Sequence, residues 1–289
     1  MKGVIIVNGS MNVSSNKVTR LLEEAKNLNI GLEVVPSFGQ LAKIENNDIV
    51  LDRRISDADF VIYQDKDLYL ATMIDKMGIP LFSDHIFMRL CDDKMLTNIE
   101  LANLGFRMPK TVSSPLVFTD KPNLQFLDHL TSELSFPMVG KENFSSLGMG
   151  VYLLHNFDEL KDFYMARFSK PLQFQEYIAS SYGRSIRVLA LDGKILGSIE
   201  RYNDNDFRSN YKNHGSAKKI ELSEKYRLFA MKIIEKLKIN YAGIDILYGE
   251  NDEPVLCEIN SNAFFEEFEH ATGINVAKEY LEMILRKLR

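Results

Sequence analysis

The chain has 289 residues, of which 45% are hydrophobic and 26% are charged, and this composition predicts a globular protein with two or three lobes. The formal net charge of -5 argues against an extended basic surface for nucleic acid or anionic lipid. The apolar run from Val4 to Val7 is too short for a signal peptide or a membrane span, and Cys91 and Cys257 lack the spacing of a disulfide framework or a zinc site. We expect a cytoplasmic protein with no nucleic-acid partner and no membrane partner.

The first third of the chain alternates strand and helix patterns. Strands are predicted at residues 4–8, 32–35, 59–63 and 80–82, and helices at residues 16–28 and 67–77. Because parallel strands are joined by crossover helices, this order predicts a small parallel α/β domain. We assign residues 1–88 to it.

The rest of the chain carries different patterns. A helix is predicted at residues 92–104, ended by Gly105 and Pro109, and two short strands then flank the turn-rich segment ENFSSLGMG. Asp192-Gly193 between two apolar runs predicts a β-hairpin, and Ser223 is placed as the N-cap of a later helix. We assign residues 89–172 to a central region and residues 173–289 to a carboxy-terminal one.

Oxygen donors recur at strand spacing in the segment AGIDILYGENDEPVLCEIN. The period of two predicts one shared face for Gly243, Asp245 and Leu247, and one for Leu256, Glu258 and Asn260 on the partner strand. Two carboxylates and an amide oxygen suit magnesium rather than zinc. Any one carboxylate here is better explained as a strand end at a solvated rim, so the prediction depends on all three together.

A lysine precedes the glycine-rich turn. Lys141 lies at a predicted strand end, and the small residues after it have backbone N–H groups that can approach phosphate closely. A simple turn between two strands explains Gly148 and Gly150 equally well. Lys94 has a similar alternative, since it is also explained as an exposed charge on a helix.

Three arginines accompany the predicted metal site. Arg187 interrupts an apolar strand, and Arg201 and Arg208 follow, the latter close to Asn210. Guanidinium groups near a metal suit an acyl phosphate or the transferring phosphoryl group. The alternative is an internal ion pair between Arg187 and Glu200, with a solvated Arg208.

Six segments, taken in order, resemble the successive motifs of the RimK-type amino-acid (α-L-glutamate) ligases of the ATP-grasp superfamily. They are CDDKMLTNIELANLGFRMP, PMVGKENFSSLGMGV, FQEYIASSYGRSIRVLALDGKILGSIER, DFRSN, AGIDIL and CEIN. The resemblance covers roughly residues 80–289. It implies an α/β (α+β) protein with an ATP-grasp fold, preceded by a Rossmann-like pre-ATP-grasp α/β domain. It also implies ATP and two Mg²⁺ ions as cofactors, with Mn²⁺ as a substitute, and a homodimer or homotetramer.

The resemblance implies a role for each matching residue. The residues implied for ATP are Lys94 and Lys141 on the phosphates, Ser145, Ser146, Gly148 and Gly150 in the lid loop, and Gln175, Glu176, Tyr177 and Ile178 at the adenine. The metal ligands are Asp245, Glu258 and Asn260. The residues implied for phosphoryl transfer are Arg187, Arg201, Arg208 and Asn210.

The implied reaction is attack of a substrate carboxylate on the γ-phosphate of ATP, followed by attack of an amine on the acyl phosphate to form an amide. The protein would join an amino acid or amine to the carboxylate of a peptide, a protein or a small metabolite. Two alternatives stay open. One is a maturase that forms isopeptide or ester links in a ribosomal peptide, and the other is a nucleotide-binding regulatory module without turnover.

Departures from the family pattern concern the substrate. Asn213-His214 stands where the family has an Arg-Gly-Gly loop, Ser185 replaces the Asp of an Asp-Ile-Arg motif, and Asn262-Ala263 falls where Ser-Pro-Gly is usual. We assign Asn213, His214 and Ser261 to substrate binding. The departures predict that the preferred amino acid differs from glutamate.

Overall fold

The computed structural model describes residues 1–9, 15–146, 148–209 and 215–289. The strands are β1 Lys2–Asn8, β2 Gly31–Ser37, β3 Ala42–Glu45, β4 Asp48–Leu51, β5 Phe60–Gln64, β6 Leu81–Phe82, β7 Thr111–Ser113, β8 Met138–Glu142, β9 Val151–Leu154, β10 Leu172–Glu176, β11 Arg184–Leu191, β12 Lys194–Tyr202, β13 Ser216–Lys219, β14 Tyr241–Tyr248 and β15 Pro254–Asn260. The helices are α1 Asn16–Asn27, α2 Arg53–Ser56, α3 Leu68–Lys76, α4 His85–Asp92, α5 Lys94–Leu101, α6 Gln125–Glu133, α7 Phe157–Met165, α8 Glu224–Leu237, α9 Glu266–Thr272 and α10 Val276–Lys287. No helix among these is long and apolar enough to cross a membrane.

The amino-terminal sheet is parallel, as predicted. Its order is β2-β1-β5-β6, and β1 pairs in parallel with both of its neighbours. The hairpin of β3 and β4 was not predicted, because its strands have four residues each and its apolar side chains Ile44 and Val50 are exposed. Asn46-Asn47 forms its turn, and both residues have positive φ, which suits a two-residue hairpin.

The helix predicted at residues 92–104 is present as α5, which is shorter at both ends and covers Lys94–Leu101. The preceding helix α4, His85–Asp92, was not predicted. Asp93 between them is extended, and its side chain accepts a hydrogen bond from the backbone N–H of Met95, so it caps α5. Aspartate is a strong N-cap residue, which explains the break. As a result Lys94 is the first residue of α5.

The other two main sheets are antiparallel. The middle sheet has the order β7-β10-β8-β9, and the carboxy-terminal sheet has the order β13-β12-β11-β14-β15. The predicted hairpin joins β11 to β12, and both Asp192 and Gly193 have positive φ. Ser223 does precede α8, but its side chain makes no capping hydrogen bond to the described residues.

The two faces of the carboxy-terminal sheet pack against different partners. Ile186, Val188 and Ile244 share a core with α8 on one face. On the other face Leu189 and Leu191 join a core that also contains residues of β1, β5, α1 and α10. This second core therefore docks the amino-terminal domain onto the carboxy-terminal sheet.

A β-bulge interrupts the pairing of β14 with β15. Asp245 pairs with Glu258, but the next residue, Ile246, pairs with Leu256, so Cys257 is the extra residue. The bulge turns Leu256 into the core beside Ile246. The prediction that Leu256 shares a face with Glu258 is therefore wrong, whereas Glu258 does lie opposite Asp245.

Candidate active site

A cleft with about 960 Å³ of empty space lies between the middle sheet and the carboxy-terminal sheet. Its lining comes from β8, β10 and the loop after β8 on one side, and from β11, β14 and β15 on the other. Nine of the ten residues predicted to bind ATP line it: Lys94, Lys141, Ser145, Ser146, Gly148, Gln175, Glu176, Tyr177 and Ile178.

The tenth residue, Gly150, lies beside the cleft without lining it. A Cβ atom at this position would come within 2.5 Å of the Cβ of Ser145 and 3.1 Å of the Cβ of Glu142. Glycine therefore permits two backbone segments of the lid loop to approach closely. Gly148 differs, because it lines the cleft and has a φ of 75°.

Two lysines in the cleft differ in what their ammonium groups contact. Lys94 Nζ donates to the backbone oxygens of Asn143 at 3.1 Å and Ser145 at 2.6 Å. Lys141 is 7% exposed and makes no side-chain hydrogen bond or ion pair to any described residue. Burial lowers the pKa of Lys94, a shift that the Glu258 carboxylate opposes and the Lys141 ammonium reinforces. Two neighbouring cations, one of them unpaired, suit an anion such as phosphate.

Apolar side chains form much of the remaining wall. Val139, Phe207 and Leu247 line the cleft, and the Tyr177 ring meets the Phe207 ring edge-on with centroids 6.4 Å apart. None of these three was predicted, although the strand period that selected Asp245 had also placed Leu247 on its face. Apolar walls with a few polar groups are typical of small-molecule sites.

The side chains of the predicted adenine segment are partly engaged elsewhere. Gln175 Nε2 donates to Thr111 Oγ1 at 2.9 Å, and the Glu176 carboxylate accepts from Arg107 Nη2 at 2.8 Å. Both residues belong to β10, which pairs with a strand on each side. Tyr177 and Ile178 lie beyond the end of β10 and line the cleft.

The lid loop is held from the opposite wall. Arg208 Nη1 donates to the backbone oxygen of Gly148 at 2.9 Å, while its Nη2 pairs with Asp206 at 2.7 Å. Arg208 is therefore not a solvated side chain. Its cation already lies where the lid meets the cleft.

The three predicted metal ligands converge at the cleft. Asp245 and Glu258 are directly paired across β14 and β15, and Asn260 follows on the same face of β15. The Asn260 amide nitrogen lies 3.0 Å from Glu258 Oε1 and 3.5 Å from Asp245 Oδ2. One small ion placed among these groups would meet all three side chains.

Arg187 pairs with Asp245, not with Glu200. Its guanidinium donates from Nε to Asp245 Oδ1 and from Nη2 to Oδ2, the latter at 2.6 Å, and both side chains are 8% exposed. Burial by itself raises the pKa of Asp245, but Arg187 and Arg201 hold it below its ordinary value. Gly243 makes room for this pair, since a Cβ there would lie 2.5 Å from Arg187 Nη1.

The alternative of an Arg187–Glu200 ion pair is wrong because the two residues lie on opposite faces of the sheet. Glu200 pairs with Ile186 in the strand register, one residue away from Arg187. Its carboxylate accepts from Arg184 Nη2 at 2.6 Å and from Lys218 Nζ at 2.9 Å. A one-residue difference in register is enough to reverse the face.

Arg201 forms an ion pair with Glu267, a residue that was not predicted to belong to the site. Its Nη2 lies 2.6 Å from Glu267 Oε2, and its Nη1 lies 3.4 Å from Asp245 Oδ1. Glu267 Oε1 is buried and has no hydrogen-bond partner among the described residues. Glu267 comes from α9, and no local motif connects it to the strands, so sequence spacing gave no signal for it.

The residues predicted for the substrate are placed only in part. Asn210, Asn213 and His214 lie outside the described residues. Ser261 is 2% exposed and lies next to the cleft without lining it. Its backbone oxygen accepts from Ser83 Oγ at 3.1 Å, so this serine is part of the packing between domains.

The donor set suits Mg²⁺. No group of three or more His, Cys, Asp or Glu side chains is arranged for a metal within residues 1–9, 15–146, 148–209 and 215–289. The site instead has two carboxylates and one amide, all hard oxygen donors once the Asn260 amide presents Oδ1. Mg²⁺ keeps several waters and binds phosphate oxygens, so a set this small is sufficient. A carboxylate has enough lone pairs to accept Arg187 and still bind an ion.

The sequence profile of the RimK-like ATP-grasp domain matches residues 91–284. The chain belongs to this family. The match spans every strand of the cleft, and it confirms the family predicted from the six segments. It also contains Lys94, Lys141 and the three predicted metal ligands.

Two relatives of this RimK-like protein indicate the range of the family. β-Citrylglutamate synthase B of Danio rerio is 28% identical over 263 residues, which cover 90% of this chain and 61% of that enzyme. The α-aminoadipate–LysW ligase LysX of Saccharolobus solfataricus is 25% identical over 272 residues, covering 91% of this chain and 94% of that enzyme. The chain thus spans about three fifths of the first enzyme and nearly all of the second.

A solved structure confirms the ATP-grasp fold. D-Alanine–D-alanine ligase of Bacillus anthracis, in complex with ATP, superposes with a TM-score of 0.69 at 20% identity, covering 100% of this chain and 96% of that one. The mixed α/β class predicted from the sequence is confirmed. The family match and these relatives also confirm the predicted class of reaction, which is the ATP-dependent joining of a carboxylate to an amine.

Proposed function

We propose that this protein activates a substrate carboxylate with ATP and Mg²⁺ and then joins it to the amine of an amino acid or a small amine. The observation that carries the proposal is the convergence of Asp245, Glu258 and Asn260 in the same cleft as Lys94 and Lys141. A cleft with both groups suits a magnesium–nucleotide complex, because the carboxylates can bind the Mg²⁺ ion and the lysines can bind the phosphates.

Each residue then has a defined task. Lys141, whose ammonium has no partner among the described residues, binds a phosphate oxygen, and Lys94 does so by exchanging its lid contacts for phosphate. Asp245, Glu258 and Asn260 hold the metal, which neutralises phosphate charge and orients the transferring group. The Arg187 guanidinium is not available to bind the substrate, because it is paired with the Asp245 carboxylate. Its task is to hold Asp245 ionised and correctly oriented.

Exclusion of water is the task of the lid loop. An activated carboxylate hydrolyses unproductively if water reaches it, so the site must be covered during turnover. Arg208 and Lys94 hold lid carbonyl oxygens from across the cleft. Their contacts keep the lid against the cleft, and Gly148 supplies the positive φ that its turn requires.

The substrate class follows in part from the relatives. LysX is named for joining α-aminoadipate to LysW, and the chain matches nearly all of that enzyme. We propose an amino acid as the amine and a carboxylate on a small molecule, peptide or protein as its partner. Substitution of the family Arg-Gly-Gly loop by Asn213-His214 favours an amino acid other than glutamate. The homodimer or homotetramer and the cytoplasmic location stay predictions.

The direct experiment measures ADP release by the purified protein with MgATP and amino acids, singly and in pairs, with mass spectrometry of the products. ADP that forms only with two partners, with a product mass equal to their sum minus water, supports the proposal. ADP that forms only with a ribosomal peptide, with loss of water from that peptide, would favour the maturase. Tight MgATP binding without ADP release under any condition would favour the regulatory module.

Replacing Lys141 with methionine tests the phosphate site. The change keeps the length of the side chain and removes a cation that has no partner among the described residues, so we expect ATP affinity to fall by about 10-fold or more while stability is retained. Calorimetric titration with ATP measures the affinity. Lys161→Met, at an exposed lysine of α7, is the matched control and should bind ATP like the unmodified protein.

A further inference from the structure

The loop after the metal-ligand strand is held by donors from two domains. Asn260 ends β15, and residues 261–263 follow it immediately. Ser83 Oγ donates to the Ser261 oxygen at 3.1 Å, and Tyr241 Oη donates to the Ala263 oxygen at 2.7 Å. Lys17 Nζ donates to Asn262 Oδ1 at 2.7 Å and to the Ala263 oxygen at 3.1 Å.

Lys17 is an unusual residue for this position. It lies in the first turn of α1, is 3% exposed, and forms no ion pair with any described carboxylate. Its Nζ lies 5.0 Å from the centroid of the Tyr241 ring and 5.7 Å from that of Phe265. Burial lowers the pKa of Lys17 to about 7.

An ammonium buried without a carboxylate is costly to the fold. A methionine of similar length would fill the same space without the desolvation penalty. The lysine is therefore better explained by what its N–H groups hold than by packing. Both hydrogen bonds that its Nζ forms with described residues go to the loop that follows Asn260, across more than 240 residues of sequence.

Lys17 and Ser83 share two properties. Both belong to the amino-terminal domain, and both bind loop 261–263 of the carboxy-terminal domain. Their contacts act on the residues directly after Asn260, whose side chain must point between Asp245 and Glu258 to reach an ion. Neither residue lines the cleft. They are placed to act through the loop and not on the substrate.

We propose that Lys17 and Ser83 are positioning residues through which the amino-terminal domain holds loop 261–263 and so orients Asn260 toward the metal. This inference rests on the proposed function, because it needs a metal at Asp245, Glu258 and Asn260. If Lys17 and Ser83 have this role, the metal site is complete only when the amino-terminal domain is docked. Partners that orient metal ligands in this way commonly change metal affinity by about 10–100-fold when they are removed.

The test compares ADP binding with and without Mg²⁺ by calorimetric titration, a readout that does not require the substrates. We expect Lys17→Met to reduce the gain in ADP affinity caused by Mg²⁺ by about 10-fold, while affinity for ADP alone is unchanged. Lys26→Met, at an exposed lysine of the same helix, is the matched control. Ser83→Ala removes a different donor to the same loop, so it keeps the test available if Lys17→Met folds poorly.

A double variant separates positioning from general structure. If Lys17 acts through Asn260, Lys17→Met should have no further effect on the Mg²⁺-dependent gain in an Asn260→Ala background. An unchanged gain in both Lys17→Met and Ser83→Ala, or equal loss of ADP affinity with and without Mg²⁺, overturns the inference. If the unmodified protein shows no Mg²⁺-dependent gain, the metal assignment fails first and the inference fails with it.

Discussion

Replacing Glu258 with glutamine is expected to remove turnover while leaving the fold intact. Glu258 forms no ion pair with any described residue, and its Oε1 accepts a hydrogen bond from the Asn260 amide at 3.0 Å, which the side-chain oxygen of glutamine can also accept. Metal stabilisation of the transferring charge contributes several kcal/mol, which corresponds to a fall in ADP formation of about 10³-fold or more. Coupled ADP release measures the rate, and urea unfolding measures stability.

The control is Glu253→Gln, at an exposed glutamate in the turn before β15. It makes the same chemical change within the same hairpin and should retain full activity. ADP release by Glu258→Gln at a rate close to that of the control would contradict the metal assignment. Loss of more than about 2 kcal/mol of stability would show instead that Glu258 has a structural role.

Replacing Arg187 with methionine is expected to have the largest effect on stability. It leaves the buried Asp245 carboxylate with the longer contacts to Arg201 at 3.4 Å and to the Asn260 amide at 3.5 Å. Breaking one partner of a buried ion pair costs about 3–5 kcal/mol, and urea unfolding at pH 7 should show a loss of this size. Arg53→Met, which breaks an ion pair with Asp57 at the surface, should cost less than about 1 kcal/mol.

The loss should depend on pH. In the intact protein the lowered pKa of Asp245 stabilises the fold above the unfolded pKa of an aspartate, and this contribution is lost as the pH falls through the folded pKa. Without Arg187 the pKa of Asp245 rises, and protonation removes the unpaired charge. The difference in stability between Arg187→Met and the unmodified protein should therefore narrow as the pH is lowered from 7 to 4.

A second substitution separates stability from activity. Adding Asp245→Leu to Arg187→Met replaces both buried charges with apolar groups, and such exchanges are often neutral or stabilising. We expect the double variant to recover most of the lost stability and to show no turnover, because Asp245→Leu removes a metal ligand. Equal instability of the single and double variants would show that the ion pair is not the source of the loss.

Local patterns in the sequence predicted most of the elements that build the site. The period of two on β14 and β15 brought Asp245, Glu258 and Asn260 together correctly, because pairing within a hairpin is a local property. The Asp192-Gly193 turn likewise fixed β11 against β12. Asp93 is a strong cap within the predicted helix at residues 92–104, so the break that places Lys94 at the start of α5 was also readable from local residues.

The remaining features depend on contacts between distant segments. The bulge at Cys257 has no glycine to mark it, and it alone decides that Leu256 faces the core. The Arg187–Asp245 pair was not predicted, because it depends on how β11 pairs with β12 and with β14, and the same pairing places Glu200 on the opposite face. Glu267 and Lys17 reach the site from helices that lie near it only after folding, so no spacing rule identifies them.

The most direct test of the central claim is a crystal structure of the protein with ADP and Mn²⁺, with the metal located by its anomalous scattering. We predict a metal peak bound by Asp245, Glu258 and Asn260 and by phosphate oxygens of ADP, with Lys141 on the same phosphates. ADP in the cleft with the metal bound elsewhere, or with its phosphates turned away from β14 and β15, would contradict the account.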